Sequence, residues 1–218
     1  QTERHGVYIV GYTDGTFGPS RSMTRAEAAA IFARLLAEKN SDTITTATNT
    51  KFTDIPAHAW YSGYVKYLAN NGITYGKSKT IFAPNDAITR AEFTTMAVRF
   101  FDVYGDGDAE IMEQFSGFND VSSGYWAAEY IKYAALHGWI NGYGDGSFHA
   151  EREINRAEVV TIVNRLLGRE ADEDYIADNL RKLNTFPDVT KRHWAYYAVM
   201  EAANAHTAVL GENESWSK

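Results

Sequence analysis

Apolar residues recur with a helical period at three places along the chain. Ala28, Ile31, Phe32 and Leu35, then Phe93, Met96, Ala97 and Phe100, then Val159, Ile162, Val163 and Leu166 fall at i, i+3, i+4 and i+7. That spacing puts four side chains on one face of an α-helix and predicts three core-facing helices. A second, shorter kind of helix is predicted by Tyr64, Val65 and Leu68 and again by Tyr130, Ile131 and Ala134. Each of these runs ends at a glycine, Gly72 or Gly138, where a left-handed closing residue costs least. Asp14-Gly15 and Asp145-Gly146 carry tight-turn chemistry, with a very short extended pair expected on either side. The chain therefore reads as helix, turn, helix, repeated.

The repeat is visible in fixed landmarks. Arg25, Arg90 and Arg156 are 65 and 66 residues apart. Phe52-Thr53-Asp54-Ile55, Phe118-Asn119-Asp120-Val121 and Phe186-Pro187-Asp188-Val189 are spaced 66 and 68, and each phenylalanine is followed eight residues on by a tryptophan, Trp60, Trp126 or Trp194. Phe17, Phe82 and Phe148 each precede their arginine by eight residues. Phe17 and Phe148 close the turns Gly11-Tyr12-Thr13-Asp14-Gly15-Thr16-Phe17 and Gly142-Tyr143-Gly144-Asp145-Gly146-Ser147-Phe148. The chain starts and stops within a repeat. A first half-unit spans residues 1–40, whole units span 51–104 and 117–168, and a closing half-unit spans 185–210. Half plus two plus half predicts three units in one compact domain, with the C-terminal half completing the N-terminal one and the two ends close together. The connectors vary: 39–51 is rich in Thr and Asn, 102–117 is acidic, and 168–185 is expected to hold a short helix around 175–183. Such variation reads as surface loop.

Composition narrows the function. Hydrophobic residues at 44% suffice for a packed interior, and a net charge of -7 argues against a nucleic-acid or basic membrane surface, which needs a broad positive excess. There is no cysteine, so no disulfide, thiolate metal site or cysteine nucleophile is available. No apolar run approaches the ~20 residues of a membrane span. The chain begins at Gln1, with no signal peptide, and is expected to be a processed or excised piece. Aromatic residues reach 14%, with 14 Tyr and 5 Trp, which suits either a core or a sugar-contacting surface.

The candidate chemistry centres on the arginines. In Thr24-Arg25-Ala26-Glu27 the threonine is the expected N-cap and Glu27 the third helical residue of a capping box. Thr89 with Glu92 repeats this, and Asn155 with Glu158 does so with an asparagine that caps equally well. The arginine meets the positive end of the helix dipole, a penalty of ~0.3–1 kcal/mol that something must offset. Two offsets stand open: a salt bridge to a neighbouring carboxylate, or a bound anion held by the guanidinium and free helix amides together. The six histidines show no metal-helix spacing, and no nucleophile elbow or Gly-rich phosphate loop occurs, so no metal, cofactor or catalytic residue is expected. A paired-carboxylate glycosidase site has nothing to single out two acids. Residues 102–113 place Asp102, Asp106, Gly107 and Glu113 as a calcium loop would, but Tyr104 and Ala109 break the pattern, which favours a solvated acidic connector.

Taken in order, Phe-x-Asp, Trp, Gly-Tyr-x-Asp-Gly-x-Phe and Thr-Arg-Ala-Glu resemble the S-layer homology (SLH) domain over nearly the whole chain, apart from the connectors and the residues after Leu210. The resemblance implies an all-α fold of three SLH helix-turn-helix units in a pseudo-threefold bundle with short turn or strand segments. It implies a monomeric, extracellular wall anchor that is not an enzyme and does not insert into membranes. The implied partner is secondary cell-wall polysaccharide linked to peptidoglycan, in this family often pyruvylated. Arg25, Arg90 and Arg156 would then face grooves between units and meet the ketal carboxylate, with Tyr12 and Tyr143 as sugar contacts. Trp60, Trp126 and Trp194 would line the grooves or belong to the core, and Asp54, Asp120 and Asp188 would cap a helix or hold a turn. The middle repeat, Tyr75-Gly76-Lys77-Ser78-Lys79-Thr80-Ile81-Phe82, lacks the Asp-Gly pair and the tyrosine after its glycine, which marks its groove as altered or silent. The closing half ends Ala203-Asn204-Ala205-His206 without a glycine, leaving its junction with the N-terminal half open. The alternatives are a helical-repeat scaffold that binds proteins, which requires a continuous groove face, and a carbohydrate-active enzyme domain.

Overall fold

The computed structural model of the chain describes residues 1–47, 49–105, 115–211 and 214–217. Its elements run β1 (Thr2–His5), α1 (Arg25–Asn40), α2 (Ser62–Asn70), α3 (Arg90–Tyr104), α4 (Ala128–Leu136), α5 (Arg156–Leu167), α6 (Glu173–Asn179), α7 (Tyr196–Ala203), β2 (His206–Val209) and β3 (Ser215–Ser217). Two compact bodies are formed, one from Gln1–Arg21 with Asn155–Lys218 and one from Ser22–Ile154. Much of the candidate calcium stretch, residues 106–113, lies outside the described residues.

In the body 22–154, α1 packs on α2 and α3, and α3 on α4. All eight periodic apolar residues of α1 and α3 are buried, and Phe32 joins the two helices by packing on Phe93 at 5.3 Å and Phe100 at 4.9 Å. The residues just ahead of the three motifs meet around a local pseudo-threefold axis. Ile88 N donates to Met23 O, Ile154 N to Ile88 O and Met23 N to Ile154 O, at 2.9 to 3.0 Å, and all three side chains are fully buried. Tyr64 and Tyr130 are half-buried, each lying against an arginine, Arg34 and Arg99 respectively, at 5.0 Å.

In the other body the C-terminal half completes the N-terminal one. Tyr8 N donates to Ala202 O, α5 packs on α7, and the turn at Phe17 is held by Asp188. The extended segments are not beside the Asp-Gly turns, as expected, but at the chain ends, where β1, β2 and β3 form an antiparallel sheet in that order. This explains the missing glycine after α7. The chain leaves the helix through Asn204, φ -127°, directly into β2, so no left-handed residue is needed. Buried Asn204 holds the exit by donating to Met200 O and Asn184 O. The short helix expected in the third connector is α6, followed by a 3-10 turn over Leu180–Lys182.

Candidate functional site

Each repeat builds the same small assembly around one phenylalanine. Phe17, Phe82 and Phe148 are fully buried and pack on Phe186, Phe52 and Phe118 at 5.2 to 5.4 Å. A Cβ added at Gly11, Gly76 or Gly142 would lie 2.4 to 2.5 Å from the second ring, so the glycine at the head of each turn is what lets the rings meet.

The aspartates hold this turn and do not cap the following helix. Asp54 accepts from Phe82 N at 2.9 Å and Ala83 N at 2.6 Å, Asp120 from Phe148 N and His149 N at 2.7 Å each, and Asp188 from Phe17 N at 2.9 Å and Gly18 N at 2.7 Å. The second amide of each pair belongs to a left-handed residue, Gly18 at φ 68°, Ala83 at 58° and His149 at 56°, so the carboxylate also pins an unusual backbone. For Asp120 and Asp188, partial burial disfavours the charge, yet the two amides outweigh it and hold both carboxyls below the ordinary aspartate range.

The arginines complete the assembly from the preceding repeat. Arg25 Nε donates to Phe82 O at 2.7 Å, Arg90 Nε to Phe148 O at 2.9 Å and Arg156 Nε to Phe17 O at 2.8 Å. Each guanidinium also lies over that phenylalanine ring, at 4.5 to 5.0 Å. The three arginines are 4 to 5% exposed, so most of each side chain is buried against its phenylalanine. The helix-start amides are not free. The first two of each helix donate to carbonyls of another repeat's turn: Arg25 and Ala26 to Asp86 and Pro84, Arg90 and Ala91 to Arg152 and Ala150, Arg156 and Ala157 to Arg21 and Pro19. Thr24, Thr89 and Asn155 accept from the third amide, at Glu27, Glu92 and Glu158, whose side chains return to the cap. The cation at the helix start is thus offset first by internal carbonyls.

What differs is the outer edge of the fork. Arg156 Nη2 donates to Val10 O at 2.6 Å and Arg90 Nη2 to Asn141 O at 3.3 Å. The aligned residue in the middle repeat is Tyr75. Arg25 pairs through Nη1 with Glu92 at 2.9 Å, and among the described residues its Nη2 has no hydrogen-bond partner. Arg25 forms part of the floor of a cleft of about 390 Å³ whose walls include Tyr75, Lys77, Thr95, Arg99 and Trp126. Tyr75 and Trp126 are each 56% exposed, and Arg99 lies over the Tyr75 ring at 4.6 Å. The repeat that departs most from the pattern thus lines an open groove.

Trp60, Trp126 and Trp194 are 56%, 56% and 65% exposed. Each stands two residues before its helix begins, in a turn, which is why the apolar face of the helix does not bury it. Tyr12 packs against Arg156 at 4.7 Å and Arg21 at 4.2 Å, and Tyr143 against Arg90 at 5.1 Å. Tyr75 and Arg99 escaped the sequence reading because the tyrosine sits one residue before the turn glycine instead of after it.

Repeated Phe-Asp-Arg assemblies, each with a buried phenylalanine and a buried arginine at a helix start, and exposed tryptophans ahead of the next helix define a repeat module of the S-layer homology type, and the chain belongs to that family. The family model of the S-layer homology domain matches residues 3–29, 51–94 and 117–160, just over half of the chain. Among relatives, the chain is 34% identical to cell surface glycoprotein 1 of Acetivibrio thermocellus over 96% of its own length and 9% of that protein. It is 32% identical to the cellulosome-anchoring protein of the same organism, over 97% of its length and 45% of that protein. Exoglucanase XynX of Acetivibrio thermocellus is 33% identical over 73% of this chain and 14% of that protein. The chain thus spans less than half the length of each of these relatives. Among the described residues no helix is long and apolar enough to cross a membrane.

Proposed function

We propose that this chain is a non-catalytic, extracellular anchoring module that holds a surface protein on the bacterial cell wall by binding secondary cell-wall polysaccharide bearing a pyruvyl ketal. The observation that carries the reading is the cleft lined by Arg25, whose Nη2 has no hydrogen-bond partner among the described residues, with two exposed aromatic rings among its walls. A ketal carboxylate takes the free arm of Arg25, with Lys77 and Arg99 close by, and Trp126 and Tyr75 pack on the CH faces of the sugar. The Thr95 hydroxyl, buried without a partner among the described residues, is a further polar handle on the wall. Arg90 with Tyr143 and Arg156 with Tyr12 provide the related sites of the other repeats, and Trp60 and Trp194 supply exposed rings. In this reading the functional units are 1–40, 51–104, 117–168 and 185–210, and several sites on one polymer would add avidity.

That relatives named for anchoring and for exoglucanase activity share a segment with this chain supports a binding role separable from catalysis. Co-sedimentation with purified wall sacculi tests the proposal. The protein is expected to pellet with intact sacculi and stay in solution when the pyruvylated polymer has been stripped. Trp126→Ala, an exposed change, is expected to weaken retention ~10-fold, about the 1.4 kcal/mol that a mid-sized contact residue contributes. Equal retention on both kinds of sacculi rejects the reading.

A further inference from the structure

Four side chains from distant parts of the sequence converge in the body formed by Gln1–Arg21 and Asn155–Lys218. His5 ends β1, Glu201 lies on α7, His206 opens β2 and Glu214 stands just before β3. One donor atom from each lies within 4.8 Å of the others. His5 Nδ1 is 3.1 Å from Glu201 Oε1 and 3.3 Å from Glu214 Oε1, and His206 Nε2 is 3.3 Å from Glu201 Oε2 and 3.4 Å from Glu214 Oε1. All four side chains are 5% exposed or less.

Three observations say what this cluster is built to hold. First, His206 Nδ1 lies 2.9 Å from the carbonyl of Asn204, which can only accept, so that nitrogen carries the proton. Nε2, the other ring nitrogen, is thereby the atom turned toward the two carboxylates, 3.3 Å from Glu201 and 3.4 Å from Glu214. Second, Glu201 Oε2, on a side chain with no exposure, makes no hydrogen bond among the described residues; its approach to His206 Nε2 lacks hydrogen-bond alignment. A buried carboxylate oxygen left this way is costly unless a cation faces it. Third, donors placed tetrahedrally at ~2.0–2.1 Å from an ion are about 3.3–3.4 Å apart; each imidazole nitrogen lies 3.1 to 3.4 Å from an oxygen of both Glu201 and Glu214, and one donor atom from each of the four residues falls within 4.8 Å of the others. An outer layer is also present. Trp216 stacks on His206 at 3.8 Å and donates its indole N–H to Glu214 Oε1 at 3.1 Å, fixing both groups.

We propose that His5, Glu201, His206 and Glu214 form a binding site for a divalent transition-metal ion, with Zn²⁺ the best match to two imidazoles and two carboxylates. The ion neutralises both acids and ties the first strand to the last helix and the closing strands, a cross-link in a chain that has no cysteine for a disulfide. The spacing of the histidines gave no hint of it, since His5 and His206 are as far apart in sequence as the chain allows such a pair to be, and each lies on a strand.

The test uses the whole 218-residue chain, stripped of metal by a chelator. Calorimetric titration with ZnCl₂, with metal analysis after desalting, is expected to show one ion per chain. CoCl₂ is expected to give the intense visible bands of a four-coordinate ion, and the melting temperature is expected to rise with zinc concentration. Glu214→Gln and His5→Gln are each expected to weaken zinc binding by more than about tenfold, the scale at which even outer-shell changes act. Should either variant fail to fold, the cobalt spectrum of the unsubstituted chain still decides. Zinc that is not retained, binding undiminished in both variants, or a melting temperature that responds to proton concentration and not to zinc would overturn the proposal, the last because protons would then balance the cluster.

Discussion

Asp120 and Asp188 do in this protein what an N-cap does in a helix, but for a turn that lies elsewhere in the sequence. Each carboxylate collects two successive amides, and the second belongs to a residue with positive φ. Because their folded-state values lie below the unfolded one, their contribution is complete above the ordinary carboxylate range near ~3.9 and is lost as pH falls through the folded values. Melting temperature followed from neutral pH downward is therefore expected to hold steady and then drop in the acid range, with a shallower drop in Asp120→Asn. An equal drop in both proteins would remove this role. The sequence pointed to these aspartates but not to their partners, because Asp120 reaches 28 residues forward and Asp188 reaches 171 back. The arginines were singled out as cations at the wrong helix end, and each does open its helix. Their first partners are backbone carbonyls, which carry no side-chain signature and so leave no mark in a sequence.

At the scale of elements, the three arginine helices were legible to within their caps. Four-residue apolar stripes and a Thr or Asn three residues before a Glu are local signals, and local signals survive folding unchanged. The strands were not legible. Each is three or four residues long, and β1 finds its partner some 200 residues away, so neither length nor alternation announces it. The exposed tryptophans fell between these cases, since two residues decide whether a ring sits on a helix face or in the turn before it. The turn glycines connect the element to its packing. Gly142→Ala would place a methyl 2.4 Å from the Phe118 ring and 2.7 Å from Ser147 O, and it is expected to cost on the order of 1–3 kcal/mol in urea denaturation. Gly144→Ala, two residues on, has nothing within 4 Å and serves as the silent comparison.

At the scale of the whole chain, the two ends share one body, so damage to the C-terminal end should be read out near the N-terminal one. Deleting residues 186–218 removes Asp188 from the amides of Phe17 and Gly18 and Ala202 O from the amide of Tyr8. Hydrogen exchange is expected to accelerate at Tyr8, Phe17 and Gly18 while the amides of Ile88 and Ile154 stay slow. Uniform loss of protection would mean the bodies unfold as one. The family model stops at residue 160, so this closing half is a contribution that the structure shows and the matched repeats alone do not.

Met23, Ile88 and Ile154 pass one amide proton each, in a circle, to the next carbonyl. A circle of that kind is saturated: every hand is already held, and a fourth copy of the motif inserted into the chain would arrive with a donor and an acceptor for which no vacancy exists. Open stacks of helical repeats can lengthen by duplication, because their last member always leaves a face uncovered. This arrangement cannot grow that way: further copies would have to come as a second trio, whole.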